Sequence, residues 1–372
     1  MNIKLTLASA MALFLLAGCG GDDTAPTPTP KAFVAGDSLN DVGVFGARAT
    51  VQSANVSAPY LVWPEIVANS YKLNKLCPAY NAALSTIVDC TGYAIGGAQI
   101  NPVVLSRSQG LVVSATIMSD VTPMSIVKQI QDMGAGRTFG SQDLMMIDGG
   151  GNDVNALASA LFEGLNPLNP FATQALSAYK AVLKDLLPAT SVDAVASNDT
   201  TALTNLGSAY MQQLAVMLAN AIKSNLIAKG AARIVVLNIP DLSKTPALNA
   251  LTAPVPATMG AWADAFNTKL VSELSAETSK VLVVDFKSIL NGYVAAPSLA
   301  KVGLVSLSNA RDRACGNKAI SSCTDTFLDA GPPSPADWRT YLFADDLHAT
   351  PFGNELMAQS VRSAIASRGW SF

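Results

Sequence analysis

The stretch Lys31-Ala-Phe-Val-Ala-Gly36-Asp37-Ser38-Leu39-Asn40-Asp41-Val-Gly43 decides how the rest of the chain is organised. Residues 32–35 are a short apolar run, which predicts a buried strand that ends at Gly36. The sequence Gly-Asp-Ser-Leu then places the hydroxyl of Ser38 where the strand stops. Open parallel sheets bind ligands beyond the carboxyl ends of their strands. A serine in this position more often caps a helix, so Ser38 becomes a candidate nucleophile only if the chain supplies partners for it.

Further apolar runs alternate with segments of helical periodicity. Residues 91–95, 143–147, 232–238 and 281–286 are predicted to be buried strands, and residues 306–339 are loop-like. Helices are predicted at residues 60–71, 125–133, 155–163, 170–187, 201–228, 262–279 and 351–367. This alternation indicates a three-layer α/β/α fold around a parallel sheet of about five strands. No second linker or repeat is visible, so residues 31–372 are expected to form one domain.

The chain offers one candidate base for Ser38. A serine hydroxyl is a poor nucleophile without an adjacent base, and His348 is the single histidine of the sequence. It stands in Asp345-Asp346-Leu347-His348 near the C-terminus. Asp345 is the preferred carboxylate for orienting the imidazole, and Asp346 is the alternative. A lone histidine at a helix start is more often a capping or surface residue, so this pair needs the support of other residues.

An oxyanion that forms on a substrate needs fixed hydrogen-bond donors. Gly97 follows the second predicted strand and Asn152 follows the third. The backbone N–H groups of Ser38 and Gly97 and the side-chain amide of Asn152 would supply such donors. A flexible glycine turn and a helix cap would explain the last two residues equally well. The carboxylates nearby have structural interpretations: Asp37 and Asp41 as acceptors for the turn around Ser38, and Asp153 as a cap of the following helix.

These blocks together resemble the GDSL, or SGNH, hydrolase family. Gly36-Asp37-Ser38-Leu39 matches the nucleophile block, Tyr93-Ala-Ile-Gly-Gly97-Ala98 the glycine block, Gly151-Asn152-Asp153 the asparagine block, and Asp345 and His348 the last block. Asn40 stands where the lipase branch of the family usually has serine or threonine. The resemblance covers residue 31 to the end of the chain.

The resemblance implies a flavodoxin-like sheet and a serine ester hydrolase of the carboxylesterase or lipase type. Its catalytic residues would be Ser38, Asp345 and His348, and its oxyanion hole Ser38, Gly97 and Asn152, without cofactor or metal. Motifs of competing chemistries, such as G-x-S-x-G, G-x-x-x-x-G-K-[ST], G-x-G-x-x-G and H-E-x-x-H, do not occur.

The substrate is less defined than the reaction. A small-molecule or lipid acyl ester is the first expectation, a carbohydrate O-acetylesterase is the alternative enzyme, and a catalytically idle envelope-binding lipoprotein is the alternative from another class. Aromatic residues near the last block indicate either an apolar acyl pocket or ordinary core; they are Trp338, Tyr341, Phe343 and Phe352.

The start of the chain predicts export and lipid anchoring. Residues 1–18 combine an early lysine with an apolar run too short for a stable membrane span, as in a signal peptide. They end in Leu16-Ala17-Gly18-Cys19, which resembles a bacterial lipobox, so Cys19 would be acylated. Residues 19–30 form a tether rich in proline and threonine. We expect a lipid-anchored envelope protein, by resemblance in the outer membrane, that faces the periplasm or the cell surface. The alternative is an ordinary secreted protein.

Composition limits the partners of the chain. Charged residues make up 14% of the sequence, against about 25% in typical domains, and the net charge is −3. No basic run is present, which argues against nucleic acid, and a monomer is expected. Apart from Cys19, the cysteines are Cys77, Cys90, Cys315 and Cys323. Closeness in sequence favours the disulfides Cys77–Cys90 and Cys315–Cys323, and the single histidine argues against zinc.

Overall fold

The computed structural model describes residues 29–87, 89–118, 121–332 and 334–372. Within them the strands are β1 (Ala32–Ala35), β2 (Val103–Ser108), β3 (Leu111–Ile117), β4 (Leu144–Ile147), β5 (Arg233–Leu237), β6 (Val281–Val284), β7 (Lys301–Val302), β8 (Val305–Ser306), β9 (Asn309–Arg313) and β10 (Tyr341–Phe343). The α-helices are α1 (Trp63–Ser70), α2 (Ile126–Gly134), α3 (Gly151–Leu165), α4 (Ala172–Leu186), α5 (Ala189–Asp193), α6 (Thr200–Asn225), α7 (Pro246–Asn249), α8 (Val255–Glu273), α9 (Phe286–Ala295), α10 (Asp325–Asp329) and α11 (Pro351–Ser367).

The central sheet is parallel, with the strand order β1-β4-β5-β6. β1 and β4 are in register from Ala32↔Leu144 to Ala35↔Ile147. The pairing continues in the same direction through β5 to β6. The carboxyl ends of all these strands therefore meet at one edge of the sheet, where the residues that follow them come together.

In the part of the chain that the structure describes, the sheet has four strands rather than about five, because residues 91–95 do not form a regular strand. They lie beside β1 in the parallel direction: the Val34 N–H donates to the Thr91 carbonyl at 2.9 Å, and the Tyr93 N–H donates to the Val34 carbonyl at 2.7 Å. Pairing on each side is a single bridge, Val34↔Gly92 and Pro78↔Gly92. Proline has no N–H with which to extend a ladder. The chain thus leaves β1, passes to one side of it at residues 91–95, and returns on the other side at β4.

Alternating side chains of the sheet enter two separate cores, which confirms the three-layer α/β/α arrangement. One core contains Phe33 of β1 and Met145 of β4 together with residues of α2, α3, α6 and α8. The opposite core contains Val34 and Met146 together with residues of α1 and α11. Side chains alternate between the two faces of a strand, and both faces here are covered by helices. The β1/β4 boundary, where the chain reverses its direction of travel across the sheet, is the crevice in which such folds bind ligands.

Candidate active site

Ser38 lies in a tight turn at the carboxyl end of β1. Gly36 begins the turn with φ +146°, and a Cβ atom there would lie 1.6 Å from the Oδ1 atom of Asp148. Only glycine fits this position. The Gly36 N–H donates to Gln129 Oε1 at 2.8 Å, and the Asp37 N–H donates to Asp148 Oδ1 at 3.0 Å. These bonds fix the peptide units immediately before Ser38.

The side chains of Ser38, His348 and Asp345 form one chain of hydrogen bonds. Ser38 Oγ lies 2.9 Å from His348 Nε2, and His348 Nδ1 lies 2.8 Å from Asp345 Oδ2. The residues come from opposite ends of the sequence, since β10 leads into the loop that carries Asp345 and His348, and α11 begins shortly after it. This arrangement allows the imidazole to accept the hydroxyl proton while the carboxylate holds its other nitrogen protonated.

The loop around His348 is closed by its own backbone. The Ala344 N–H donates to the His348 carbonyl at 2.7 Å. Asp345 Oδ1 accepts the N–H groups of Leu347 at 2.9 Å and of His348 at 2.8 Å. Burial would raise the pKa of Asp345, but the hydrogen bond and charge of His348 and the two backbone N–H groups outweigh it, so this pKa lies below its ordinary value. Asp345 is therefore ionised where it faces the imidazole.

Asp346 points away from this chain of hydrogen bonds. Its Oδ1 atom lies 3.1 Å from Arg313 Nη1, and both side chains are exposed. Its backbone carbonyl accepts the N–H of Ala247 at 3.1 Å. Of the two neighbouring aspartates, the structure places only Asp345 against His348.

The glycine and asparagine blocks face Ser38 across the same cavity. Asn152 lies in the first turn of α3, and its Nδ2 donates to the Ala98 carbonyl at 3.0 Å, which leaves its second amide hydrogen for another acceptor. The Gly96 N–H is occupied by Asp41 Oδ2 at 2.8 Å. By contrast, the backbone N–H groups of Ser38 and Gly97 have no protein acceptor in the part of the chain that the structure describes. Three N–H donors are thus available at the rim of the cavity.

The cavity beside Ser38 has a volume of about 390 Å³ and a mainly apolar wall. Its polar lining residues include Ser38, His348 and Asn152, together with others such as Arg48, Asn155, Asn238 and Tyr293. The apolar side chains that line it include Leu39, Phe45, Ile239, Leu290, Phe343 and Met357. Of the aromatic residues considered for an acyl pocket, only Phe343 belongs to this wall; Trp338, Tyr341 and Phe352 pack in neighbouring apolar clusters. Trp338 is buried in one of these clusters, and Tyr341 and Phe352 are half-buried against them.

Residues 33–361 match a family model described as GDSL-like Lipase/Acylhydrolase. The chain belongs to this family. No curated protein matches it. Among solved structures, a member of the lipolytic protein G-D-S-L family from Veillonella parvula DSM 2008 is 12% identical, covers 91% of this chain and 99% of its own, and has a TM-score of 0.39. Phospholipase A1 from Streptomyces albidoflavus NA297 is 14% identical, with 90% and 99% covered and a TM-score of 0.43. The extracellular lipase from Streptomyces rimosus is 15% identical, with 90% and 100% covered and a TM-score of 0.39.

Both expected disulfides are present in this member of the GDSL family, Cys77–Cys90 and Cys315–Cys323. The second is close to the Asp345–His348 loop, because the Cys315 N–H donates to the Ala344 carbonyl at 2.8 Å. Ile320, inside the closed loop, contributes to the cavity wall. The disulfide therefore supports one side of the site.

The carboxylates near the turn hold backbone in place. Asp37 Oδ1 accepts the Leu39 N–H, and Asp41 Oδ1 accepts the N–H groups of Gly43 and Val44. Asp41 also holds the glycine block through Gly96. Both carboxylates thus fix the turn around Ser38, as the sequence indicated.

Asp153 ties the asparagine block to the glycine block instead of capping α3 through its side chain. Its two carboxylate oxygens accept the N–H groups of Ile100 and Asn101 at 3.0 and 3.1 Å. Burial raises the pKa of Asp153 to about 7, although these two bonds oppose the shift. The position of Asn152, one residue earlier, is fixed by the same contacts.

Sequence reasoning missed Gln129 and Asp148, which hold the backbone before Ser38. Asp148 had a detectable signal, since it directly follows a predicted strand. Gln129 had none, because a glutamine on an amphipathic helix gives no indication of where it will point.

Several expectations concern other parts of the chain. Cys19, the signal peptide and most of the tether lie outside the described residues. In the described ranges, no helix is long and apolar enough to cross a membrane. The same ranges contain no cluster of three or more histidine, cysteine or acidic side chains that could hold a metal ion.

Proposed function

We propose that this chain is a serine ester hydrolase that cleaves acyl esters through an acyl-enzyme intermediate. The observation that supports it best is the continuous contact from Ser38 Oγ through His348 to Asp345, next to N–H donors without protein acceptors. Family membership supports ester hydrolysis in general, and this geometry supports the serine mechanism.

In the first half of the reaction, Ser38 Oγ attacks the ester carbonyl carbon and His348 Nε2 takes the hydroxyl proton. The N–H groups of Ser38, Gly97 and Asn152 stabilise the oxyanion of the tetrahedral intermediate. The intermediate collapses when the bond to the alkoxy group breaks, and His348 returns the proton to the leaving alcohol. In the second half, water attacks the acyl-enzyme with the same base, which releases the carboxylic acid and restores the serine.

The cavity favours substrates with an apolar acyl part. Its wall is mainly apolar, so it offers more contact area to hydrocarbon than hydrogen-bonding partners to the hydroxyl groups of a sugar. Binding therefore gains mainly from the removal of hydrocarbon from water. We expect lipid-type or other acyl esters to be the substrates.

A panel of nitrophenyl esters with acyl chains of increasing length tests this function. We expect hydrolysis of chains longer than acetyl, loss of activity in Ser38→Ala, and covalent labelling of Ser38 by a fluorophosphonate. Ser177→Ala is a matched control, because Ser177 lies on the exposed surface of α4. Activity on acetyl esters alone would favour a carbohydrate O-acetylesterase. Absence of both hydrolysis and labelling would favour an idle binding protein.

We also propose that the protein acts as a monomer anchored in the bacterial envelope by lipid on Cys19. All reacting groups come from one chain, and the lipobox resemblance supports the anchor. Cys19→Ser should release the protein from membranes without changing its intrinsic rate, as measured by fractionation and ester hydrolysis. A variant that remains acylated and membrane-bound would contradict the anchor, and light scattering checks the monomer.

A further inference from the structure

Two carboxyl groups lie directly behind the nucleophile turn. Asp37 is 6% exposed and Asp148 is 3% exposed, and they follow the neighbouring strands β1 and β4. The Asp37 N–H donates to Asp148 Oδ1 at 3.0 Å, so both carboxyl groups adjoin the same turn. Buried carboxylates are costly unless paired with donors or cations, so this arrangement requires an explanation.

The hydrogen-bond partners show which carboxyl oxygen lacks a donor. Asp37 Oδ1 accepts the Leu39 N–H, and Asp148 Oδ1 accepts the Asp37 N–H. The remaining oxygen of Asp148, Oδ2, is buried and has no donor among the described residues. Two carboxylates in contact form a hydrogen bond only if one is protonated. A proton on Asp148 Oδ2 would remove the cost of this buried, unpartnered oxygen and would provide a donor for the neighbouring Asp37 carboxylate.

The surrounding charges favour the same assignment. Burial raises the pKa of Asp148 well above its ordinary value, and the negative charge of Asp37 raises it further. Burial also raises the pKa of Asp37 and Asp41 adds to this effect, whereas the Leu39 N–H and His348 lower it. Asp37 is thus the member of the pair that is placed to carry the charge, because it faces His348.

We propose that Asp148 is a positioning residue of the hydrolase. As a neutral acid it donates a hydrogen bond to the Asp37 carboxylate and accepts one from the Asp37 backbone. The inference rests on the proposed function, since it concerns the orientation of the nucleophile. The bond to the Asp37 N–H holds the Gly36–Asp37 peptide, and the adjoining Asp37–Ser38 peptide carries the N–H of Ser38. Movement of Asp37 would therefore displace both the nucleophile and one oxyanion donor.

Substitutions of Asp148 test whether its side chain acts as a neutral hydrogen-bond donor or as a charged carboxylate. The amide of Asp148→Asn can make both hydrogen bonds of the neutral acid, so this variant should keep most of the wild-type kcat at neutral pH. Asp148→Ala can make neither and should lose about 10²-fold in kcat with little change in KM. Asp143→Asn is the matched control. Asp143 also accepts backbone N–H groups but precedes β4 at the opposite end of the sheet. The variant Asp143→Asn should leave the rate of ester hydrolysis unchanged.

The pH profile gives a readout that a purely structural role would not change. In the wild type, kcat/KM should fall on the alkaline side as Asp148 loses its proton and two carboxylates face each other. Asp148→Asn should lack this fall. A folded Asp148→Asn that is inactive at neutral pH, or one that keeps the alkaline fall, would overturn the proposal. If Asp148→Ala does not fold by circular dichroism, the asparagine variant decides the question alone.

Infrared spectroscopy tests the proton without relying on activity. The carbonyl band of a buried carboxylic acid should be present in the wild type and in Ser38→Ala, and should be lost or reduced in Asp148→Asn but not in Asp143→Asn. A band that is unaffected by Asp148→Asn would refute the assignment. A wild-type protein whose band is reduced by Asp148→Asn but which hydrolyses no ester would refute the proposed function and leave the proton on Asp148 established.

Discussion

Replacing Asp345 and Asp346 by asparagine, one at a time, is a direct test of the proposed hydrolytic machinery. The two side chains are chemically identical neighbours, but only Asp345 contacts His348, through Oδ2 at 2.8 Å. Asp346 is paired with the exposed Arg313. A single amide substitution at each position therefore compares a carboxylate inside the chain of hydrogen bonds with one outside it.

The expected magnitudes follow from these contacts. With a carboxylate at residue 345, the Nδ1 atom of His348 keeps its proton and Nε2 is free to accept one from Ser38. An asparagine amide can donate to Nδ1 and thereby stabilise the tautomer that is protonated on Nε2, which cannot accept the proton of Ser38. In serine hydrolases with this arrangement, the corresponding loss is about 10⁴-fold in kcat, or about 5.4 kcal/mol of transition-state stabilisation. Asp346→Asn removes an exposed ion pair worth at most about 1 kcal/mol, so its rate should change less than about fivefold.

The assay is steady-state hydrolysis of the best nitrophenyl ester from the panel, with thermal unfolding to show that both variants are folded. Asp345→Asn should reduce kcat and kcat/KM together, because the lost contact acts on the transition state. Asp346→Asn serves as the matched control. Loss of activity in Asp346→Asn, with Asp345→Asn nearly unchanged, would refute the assignment of the acid.

Three further predictions test other parts of the site. Asn152→Ala should lower kcat by about 10²- to 10³-fold with a smaller change in KM. A variant in which KM rises while kcat is unchanged would contradict the role of Asn152 as an oxyanion donor. The pKa of Asp153 is raised to about 7, so its contribution to stability is present below about pH 4 and is lost as the pH rises through about 7. In the wild type, the urea concentration at the unfolding midpoint should therefore decrease between about pH 5 and pH 8, and Asp153→Asn should make this decrease smaller. An unchanged pH dependence in the variant would contradict the raised pKa of Asp153. Replacing Cys315 and Cys323 by serine should cost about 2–4 kcal/mol of stability and reduce the ester hydrolysis rate, whereas an unchanged Tm and rate would show that the disulfide supports neither.

The parts of the fold predicted best are those where local pattern and burial agree. The apolar runs at residues 143–147 and 232–238 correspond to β4 (Leu144–Ile147) and β5 (Arg233–Leu237). Such runs are continuous because both faces of the parallel sheet are covered. Ser38 and His348 could be proposed for a similar reason, since one follows a strand and the other is the only histidine.

The elements that were missed depend on contacts distant in sequence. The hairpin of β2 and β3 was not predicted, because its buried residue Val112 packs against α4, about sixty positions away. Part of the region expected to be loop-like forms β9, which is ordered by parallel pairing with β10. Helix α9 was missed although Asp285 caps it by accepting the Ser288 N–H, a signal that was present in the sequence.

The role of Asp148 shows what sequence reasoning could not supply. Its position after a strand was evident, but its bond to the Asp37 N–H and the lack of a donor for its second oxygen among the described residues were not. Both follow from the lateral order of β1 and β4, which brings together residues 111 positions apart. No local sequence pattern indicates that these two residues lie close together in the fold.

Ser38 and His348 are 310 positions apart, and this separation determines when their contact can form during synthesis. Synthesis therefore delivers the serine 310 residues before the histidine that contacts it. A nascent chain, or any product truncated before residue 348, therefore has a serine without a proton acceptor. The loop that carries His348 leads into α11, and α11 packs in the same core as α1. In the proposed mechanism, Ser38 therefore becomes a competent nucleophile only after the chain has been synthesised and folded past His348.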